Sequence, residues 1–221
     1  QKRPIYIAEE FHEQAEMDKV MDGMTEGYLQ TLTGREGAIK SASYVEGLVS
    51  SLGWFGRAFV MTTLETHDER RLVDGTGFDR FVGAGFWGIG AALRGMPTLV
   101  MGQELGEGRA LAFKRSDFLR SRFDADTRGG EADVVRRSYR GMIEARRDQK
   151  NRALKDEHIA FLRPRSGALD ERMFAAVKWT SDRNVVFVFH NLWRNDVAQD
   201  YFVAPELGSE LGIRDDASYR L

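Results

Sequence analysis

Three short apolar runs in this sequence end on carboxylates. Ile5-Tyr6-Ile7-Ala8 closes with Glu9-Glu10. Residues 58–64 lead into Glu65-Thr66-His67-Asp68, and Pro97-Thr98-Leu99-Val100-Met101 runs into Gly102-Gln103-Glu104. A weaker run, 20–24, lies between the first two. If these runs are strands of one parallel sheet, Glu9, Asp68 and Glu104 emerge at the same edge. Two carboxylates gathered there could share acid/base work, one giving a proton to a leaving oxygen and the other acting as nucleophile or base. Cleavage of a glycosidic bond needs that pairing. The same acids have a structural use, because Asp and Glu favour helix N-termini and so collect in strand-to-helix loops. Spacing alone leaves both readings open.

The elements that would carry these residues are legible around them. The apolar runs do not alternate with polar residues, and stretches of helical character at 36–52, 78–94 and 131–152 separate or follow the later ones. Unalternating strands interleaved with helices indicate a parallel sheet covered by helices on its outer face. The 78–94 stretch stops at Gly95 with Pro97 close behind, a helix end before a strand. In a (β/α)8 barrel such strand ends form the active-site mouth. Beyond 153 the pattern changes. Residues 173–179 and 184–190 are β-rich around the turn Ser181-Asp182-Arg183-Asn184, and 201–203 reads as a third strand of an antiparallel module.

The whole chain narrows the choices. Its 221 residues, 42% hydrophobic and 30% charged, suit a folded chain with a sizeable core. A net charge of −2 gives no footprint for nucleic acid or an anionic membrane. No apolar run of about 18 residues is present. With no cysteine there can be no disulfide or thiolate metal site, and the compartment stays open. His12 and His158 have no partners at metal-ligand spacing, so no transition metal is expected.

At this point the residues carry a resemblance. Ile5-Tyr6-Ile7-Ala8-Glu9 resembles the fifth-strand motif of the α-amylase family of glycoside hydrolases, where a hydrophobic strand ends in the acid/base Glu. Leu64-Glu65-Thr66-His67-Asp68-Glu69-Arg70-Arg71 resembles that family's seventh-strand motif. Leu99-Val100-Met101-Gly102-Gln103-Glu104-Leu105-Gly106 is similar to its eighth-strand segment. About 35 residues between the last two leave room for a helical crossover. The resemblance implies strands 5–8 of a (β/α)8 barrel over residues 1–152, followed by the start of an antiparallel β-sandwich over 153–221. It implies that Glu9, rather than Glu10, protonates the glycosidic oxygen and later activates water or an acceptor sugar. Asp68 would stabilise the distorted sugar, and His67 would donate to it. Glu104 is a secondary candidate, and Arg71 is expected to be a charge partner near the loop. No cofactor is implied, and the family's calcium sites lie largely in parts not present here. The implied partner is an α-glucan or maltooligosaccharide.

The departures set further expectations. Thr66 stands where many members have Asn. The family's nucleophile is an Asp two residues after an Arg at the end of the fourth strand, and no strand-borne Arg-x-Asp occurs here. Arg122-Phe123-Asp124 follows the eighth strand and is in the wrong place. A barrel of this type takes about 250 residues, so the chain is expected to be a piece cut at both ends. It would then be inactive alone and prone to self-association through open barrel edges.

Other features have plainer readings. Gly83-Ala84-Gly85-Phe86-Trp87-Gly88 matches a dinucleotide-binding pattern but falls inside a helical stretch, where close packing against the barrel explains it better. The Arg/Lys-rich 131–155 segment reads as a solvated helix. Trp54, Trp87 and Trp179 read as core or interface residues, leaving Trp193 as the one candidate for sugar stacking. His190 reads as a structural histidine. Three functions remain: a retaining hydrolase or transglycosylase on α-glucans, a non-catalytic sugar-binding or assembly relative, and, on the glycine pattern alone, a nucleotide-dependent oxidoreductase.

Overall fold

A computed structural model describes residues 3–9, 14–26, 41–51, 59–66, 71–73, 79–108, 130–165 and 167–214. Four strands, β1 (Ile7–Ala8), β2 (Gly23–Glu26), β3 (Phe59–Thr62) and β4 (Met96–Pro97), pair in chain order into one parallel sheet. Met24 pairs with Ala8 on one side and Val60 on the other, and Met61 pairs with Met96. Helices α1 (Gln14–Val20), α2 (Ala42–Ser51) and α3 (Arg80–Ala91) stand between successive strands. After β4 come α4 (Glu131–Arg147) and a 3-10 stretch at Gln149–Lys155. The chain then turns antiparallel. β5 (Ile159–Phe161), β7 (Met173–Trp179) and β8 (Val185–Asn191) form one sheet in the order β5-β7-β8. β6 (Arg163–Pro164) pairs with β9 (Tyr201–Phe202), and α5 (Pro205–Leu211) follows. The architecture is part of a (β/α)8 barrel followed by antiparallel sheets, the fold class read from the sequence.

Local chemistry sets α3. Asp79 caps its start, accepting from the N–H groups of Phe81 (2.9 Å) and Val82 (2.8 Å). The helix is apolar on nearly every side because it is covered on nearly every side: Val82, Phe86, Trp87 and Ile89 are all buried. Its glycines let neighbours approach. A Cβ on Gly83 would meet Leu72 Cδ2 at 2.3 Å, one on Gly85 the Asn191 carbonyl oxygen at 2.4 Å, and one on Gly88 His190 Cε1 at 2.3 Å. The glycine pattern is thus a packing device, as expected. Two of its three contacts lie on β8 rather than on the parallel sheet, which corrects the expectation of packing against the barrel. The helix ends at Ala91, and past its cap Gly95 adopts φ +121°, with its Cα facing the Val60 carbonyl oxygen so closely that a Cβ would sit 2.3 Å from it. β4 starts at the next residue. Arg146 secures this turn from α4, donating to the carbonyl oxygens of Ala91 (2.7 Å) and Leu93 (2.8 Å).

The main core joins both kinds of sheet. Val45 and Val49 of α2, the apolar face of α3, Val135 and Tyr139 of α4, and Phe174, Ala176 and Val188 of the antiparallel sheet form one buried cluster. A smaller cluster under α1 packs Met24 and Val60 with Met17. Burial of such side chains contributes roughly 1.5–3 kcal/mol each, so the packing of α2 and α3 on β7 and β8 is a main source of stability here.

The structure also differs from the sequence reading in places. The weak run at 20–24 divides: Val20 ends α1, and the strand starts at Gly23, whose N–H donates to the Tyr6 carbonyl at 3.1 Å. The third strand beside β7 is β5, which the sequence reading did not mark, while 201–202 pairs with β6 instead. His190 is a half-buried residue of β8, as the structural reading holds, and burial pushes its imidazole down to about 4 against the pull of the Gly88 carbonyl.

Candidate active site

All four strands of the parallel sheet run the same way, so their C-terminal ends open on one edge. Glu9 follows β1 there and is exposed. Thr63 to Thr66 follow β3, and Thr98 to Gly106 follow β4. Thr98 ties the last two together: its N–H and its hydroxyl both donate to the Thr62 carbonyl, at 2.9 and 3.0 Å. Of the other sequence-derived candidates, Glu10, His67 and Asp68 lie outside the described residues, as do Trp54 and His12. Trp193 is exposed next to the end of β8.

The loop after β4 is held from three sides. Gly102 and Gly106, both at positive φ, bracket a 3-10 turn over Gln103–Leu105. Glu104 is half-buried and folds back on this turn, its Oε2 accepting from the Gly102 N–H at 3.0 Å. Gln103 is buried; its Oε1 accepts from the Val100 N–H (3.3 Å) and its amide donates to the Tyr139 hydroxyl of α4 (3.4 Å). Trp87 packs on the Tyr139 ring with centroids 5.0 Å apart and donates from Nε1 to the Thr98 carbonyl at 2.8 Å. Burial holds the Tyr139 hydroxyl well above the usual tyrosine range.

Beneath the edge lies a buried ion pair. Arg71 Nη2 sits 3.1 Å from Glu65 Oε2. Arg71 also donates to the main chain of the β4 loop, from Nη2 to the Met101 carbonyl (3.1 Å) and from Nε to the Glu107 carbonyl (3.2 Å). The other Glu65 oxygen accepts from the Leu72 N–H at 2.7 Å. Burial pushes the Glu65 carboxyl up to about 7; Arg71 and the Leu72 N–H pull it down, and the Glu104 charge adds to the rise. Arg71 is therefore a buried charge partner bridging two strand-end loops. Its partner Glu65 is the residue that sequence reasoning passed over. The available signal was an acid at an apolar strand end with an Arg a few residues on, and no periodicity links the two.

Among the described residues, no group of three or more His, Asp or Glu side chains could hold a metal ion. No described helix is long and apolar enough to cross a membrane. Chemically, the arrangement offers, among the described residues, an exposed carboxylate at the open edge, Glu9, and a buried Glu65–Arg71 pair tied to the β4 loop.

No family model matches the chain, and no curated protein matches it significantly. Solved structures do. A maltogenic α-amylase from Thermotoga neapolitana is similar over 86% of this chain and 42% of its own, at 18% identity and a TM-score of 0.62. An α-amylase from H. orenii is similar over 86% of this chain and 44% of its own, at 17% identity and a TM-score of 0.62. A cyclic α-maltosyl-(1→6)-maltose hydrolase from Arthrobacter globiformis is similar over 80% of this chain and 39% of its own, at 18% identity and a TM-score of 0.56. The chain thus spans less than half the length of each of these structures. It has, over that span, the fold of the (β/α)8 glucan hydrolases.

Proposed function

We propose that this chain contributes part of the active site of a retaining enzyme acting on α-linked glucans, a hydrolase or a transglycosylase. Glu9 serves as general acid/base, Asp68 stabilises the oxocarbenium-like sugar and His67 donates to it, with maltooligosaccharide as the substrate class. The catalytic Asp nucleophile comes from outside these residues. In this reading residues 1–152 belong to the barrel and 153–221 to a β domain.

One observation carries most weight: Glu9, Glu65 and the Glu104 loop follow β1, β3 and β4 at the same edge of one parallel sheet. That edge is where barrel enzymes place their chemistry. The fold shared with glucan hydrolases adds support, since the proteins compared include ones solved with maltose and maltotriose. The missing strand-borne Arg-x-Asp favours a second reading, a non-catalytic sugar-binding or assembly relative.

Incubation with maltooligosaccharides tests the division of labour. The chain should release no more sugar than its Glu9→Gln variant. Clear turnover that Glu9→Gln abolishes would show that the nucleophile lies within these residues.

A further inference from the structure

We propose that the cooperative folding unit of this chain crosses from the parallel sheet's helices into the antiparallel sheets. α2, α3 and α4 form and open together with β7 and β8, whereas β1, α1 and β2, the elements that flank Glu9, open on their own.

The first turn of α2 is completed from beside β7. A helix leaves its first N–H groups without partners inside the helix. In α2 the Ala42 N–H donates to the Glu171 carbonyl at 2.8 Å, and the Ser43 N–H and hydroxyl both donate to the Glu171 carboxylate at 2.9 Å. Ser41 beside them takes the Tyr44 N–H on its hydroxyl at 3.4 Å. Glu171 stands 128 positions beyond Ser43, and its negative charge is the one a helix N-terminus favours. One turn on, Arg163 of β6 closes a two-pronged ion pair on the buried Glu46, both bonds at 2.8 Å. Val45 and Val49 of α2 pack in one cluster with Phe174 and Ala176 of β7. The antiparallel sheets therefore supply α2 with its cap and with its apolar partner.

Arg194, after β8, extends the pattern to the next two helices. It lies 3.6 Å from Asp79, the cap of α3, and donates at 3.2 Å to Glu131, the first residue of α4. Exposed pairs such as these contribute little each, so the shared cap and the shared core hold the unit together.

The other end of the parallel sheet is built differently. Ile5, Tyr6 and Ile7 are exposed, and Met17 of α1 is half-buried. Their apolar anchor is the small cluster of Met24 and Val60 with Ala8 and Met17, which shares no residue with the main core. Segments with few buried apolar contacts open at lower free energy than a core. Glu9 thus follows a strand whose placement can change without loss of the main core.

Native-state hydrogen exchange of the full 221-residue chain at low urea tests this. The amides of Val45 in α2, Ile89 in α3 and Leu192, which donates to the Arg172 carbonyl, should converge on one urea dependence. Those of Met21 and Gly23, bonded to the Met17 and Tyr6 carbonyls, should exchange on the order of 100-fold faster with a shallower slope. Glu171→Ala should cut protection about tenfold in α2, and by the same factor in α3 and β7, leaving Met21 and Gly23 unchanged. Glu171→Gln, whose side-chain oxygen still accepts, should recover part of the loss. The slopes of the parent chain decide the matter even if a variant does not fold. α2 opening before β7, a loss confined to α2 in Glu171→Ala, or Gly23 sharing the common urea dependence would each overturn the proposal.

Discussion

Glu65 Oε2 and Arg71 Nη2 lie 3.1 Å apart with each side chain only 1% exposed, one on either side of the segment that holds His67 and Asp68. Both charges are thus withdrawn from water at the base of the strand-end edge. The titration of Glu65 must show in the stability of the fold.

The sign for Glu65 follows from its raised value. Between the ordinary 4.5 and about 7 the folded chain holds the proton more tightly than the unfolded chain. Its stabilising contribution is full below about 4.5 and is lost as pH rises through 7. Urea melts should show Glu65→Gln gaining on the parent chain from pH 4.5 to 8, by at most about 3 kcal/mol. His190 works in the opposite sense. Its folded value lies near 4, below the ordinary 6.5, so its contribution is present above 6.5 and fades as pH falls through 4. His190→Asn should flatten the acid side of the curve and leave the neutral side alone. Parallel pH profiles for the parent and both variants would contradict these assignments.

Substitution of glycines should separate packing from propensity. In Gly85→Ala the new Cβ meets the backbone oxygen of Asn191 at 2.4 Å, which cannot swing aside. A loss of about 1–3 kcal/mol is expected. Gly83→Ala meets the tip of Leu72 instead and should lose less. Gly141→Ala in α4 meets nothing within 4 Å and should gain roughly 0.5–1 kcal/mol from helix propensity. Thermal melts of the three give the order, and equal effects would mean α3 does not pack on β8 as described.

Both margins of the parallel sheet carry exposed apolar residues. Ile5, Tyr6 and Ile7 line the β1 side, and Met96, Leu99 and Met101 line or follow β4. Among the described residues β1 and β4 are the edge strands of this sheet, and such edges invite pairing with another chain. Sedimentation velocity should show mass rising with concentration, and Ile7→Lys should reduce it. A monomer with a sharp, concentration-independent melt would count against open edges.

Much of this was legible in the sequence because it is written in local patterns. The order of apolar runs and helices gave the parallel sheet, and the Asn184-containing turn between two β-rich runs gave the β7–β8 hairpin. Elements of two or three residues, such as β5 and β6, are too short to show a period and are defined by their partners. α1 and α5, seven residues each, escaped for the same reason. At the candidate site, Glu9 and the Glu104 loop could be placed by strand ends alone. The Glu65–Arg71 pair could not, because its significance comes from burial and from contacts with the β4 loop, neither of which sequence spacing encodes.

The account turns on sugar recognition by this edge of the sheet. Calorimetric titration of maltotriose into the 221-residue chain at pH 7 tests that most directly, with Asp68→Asn beside it. The account predicts saturable binding that Asp68→Asn weakens at least tenfold while the melting temperature stays within a few degrees. No binding by the folded parent chain, or binding that Asp68→Asn leaves unchanged, would contradict it.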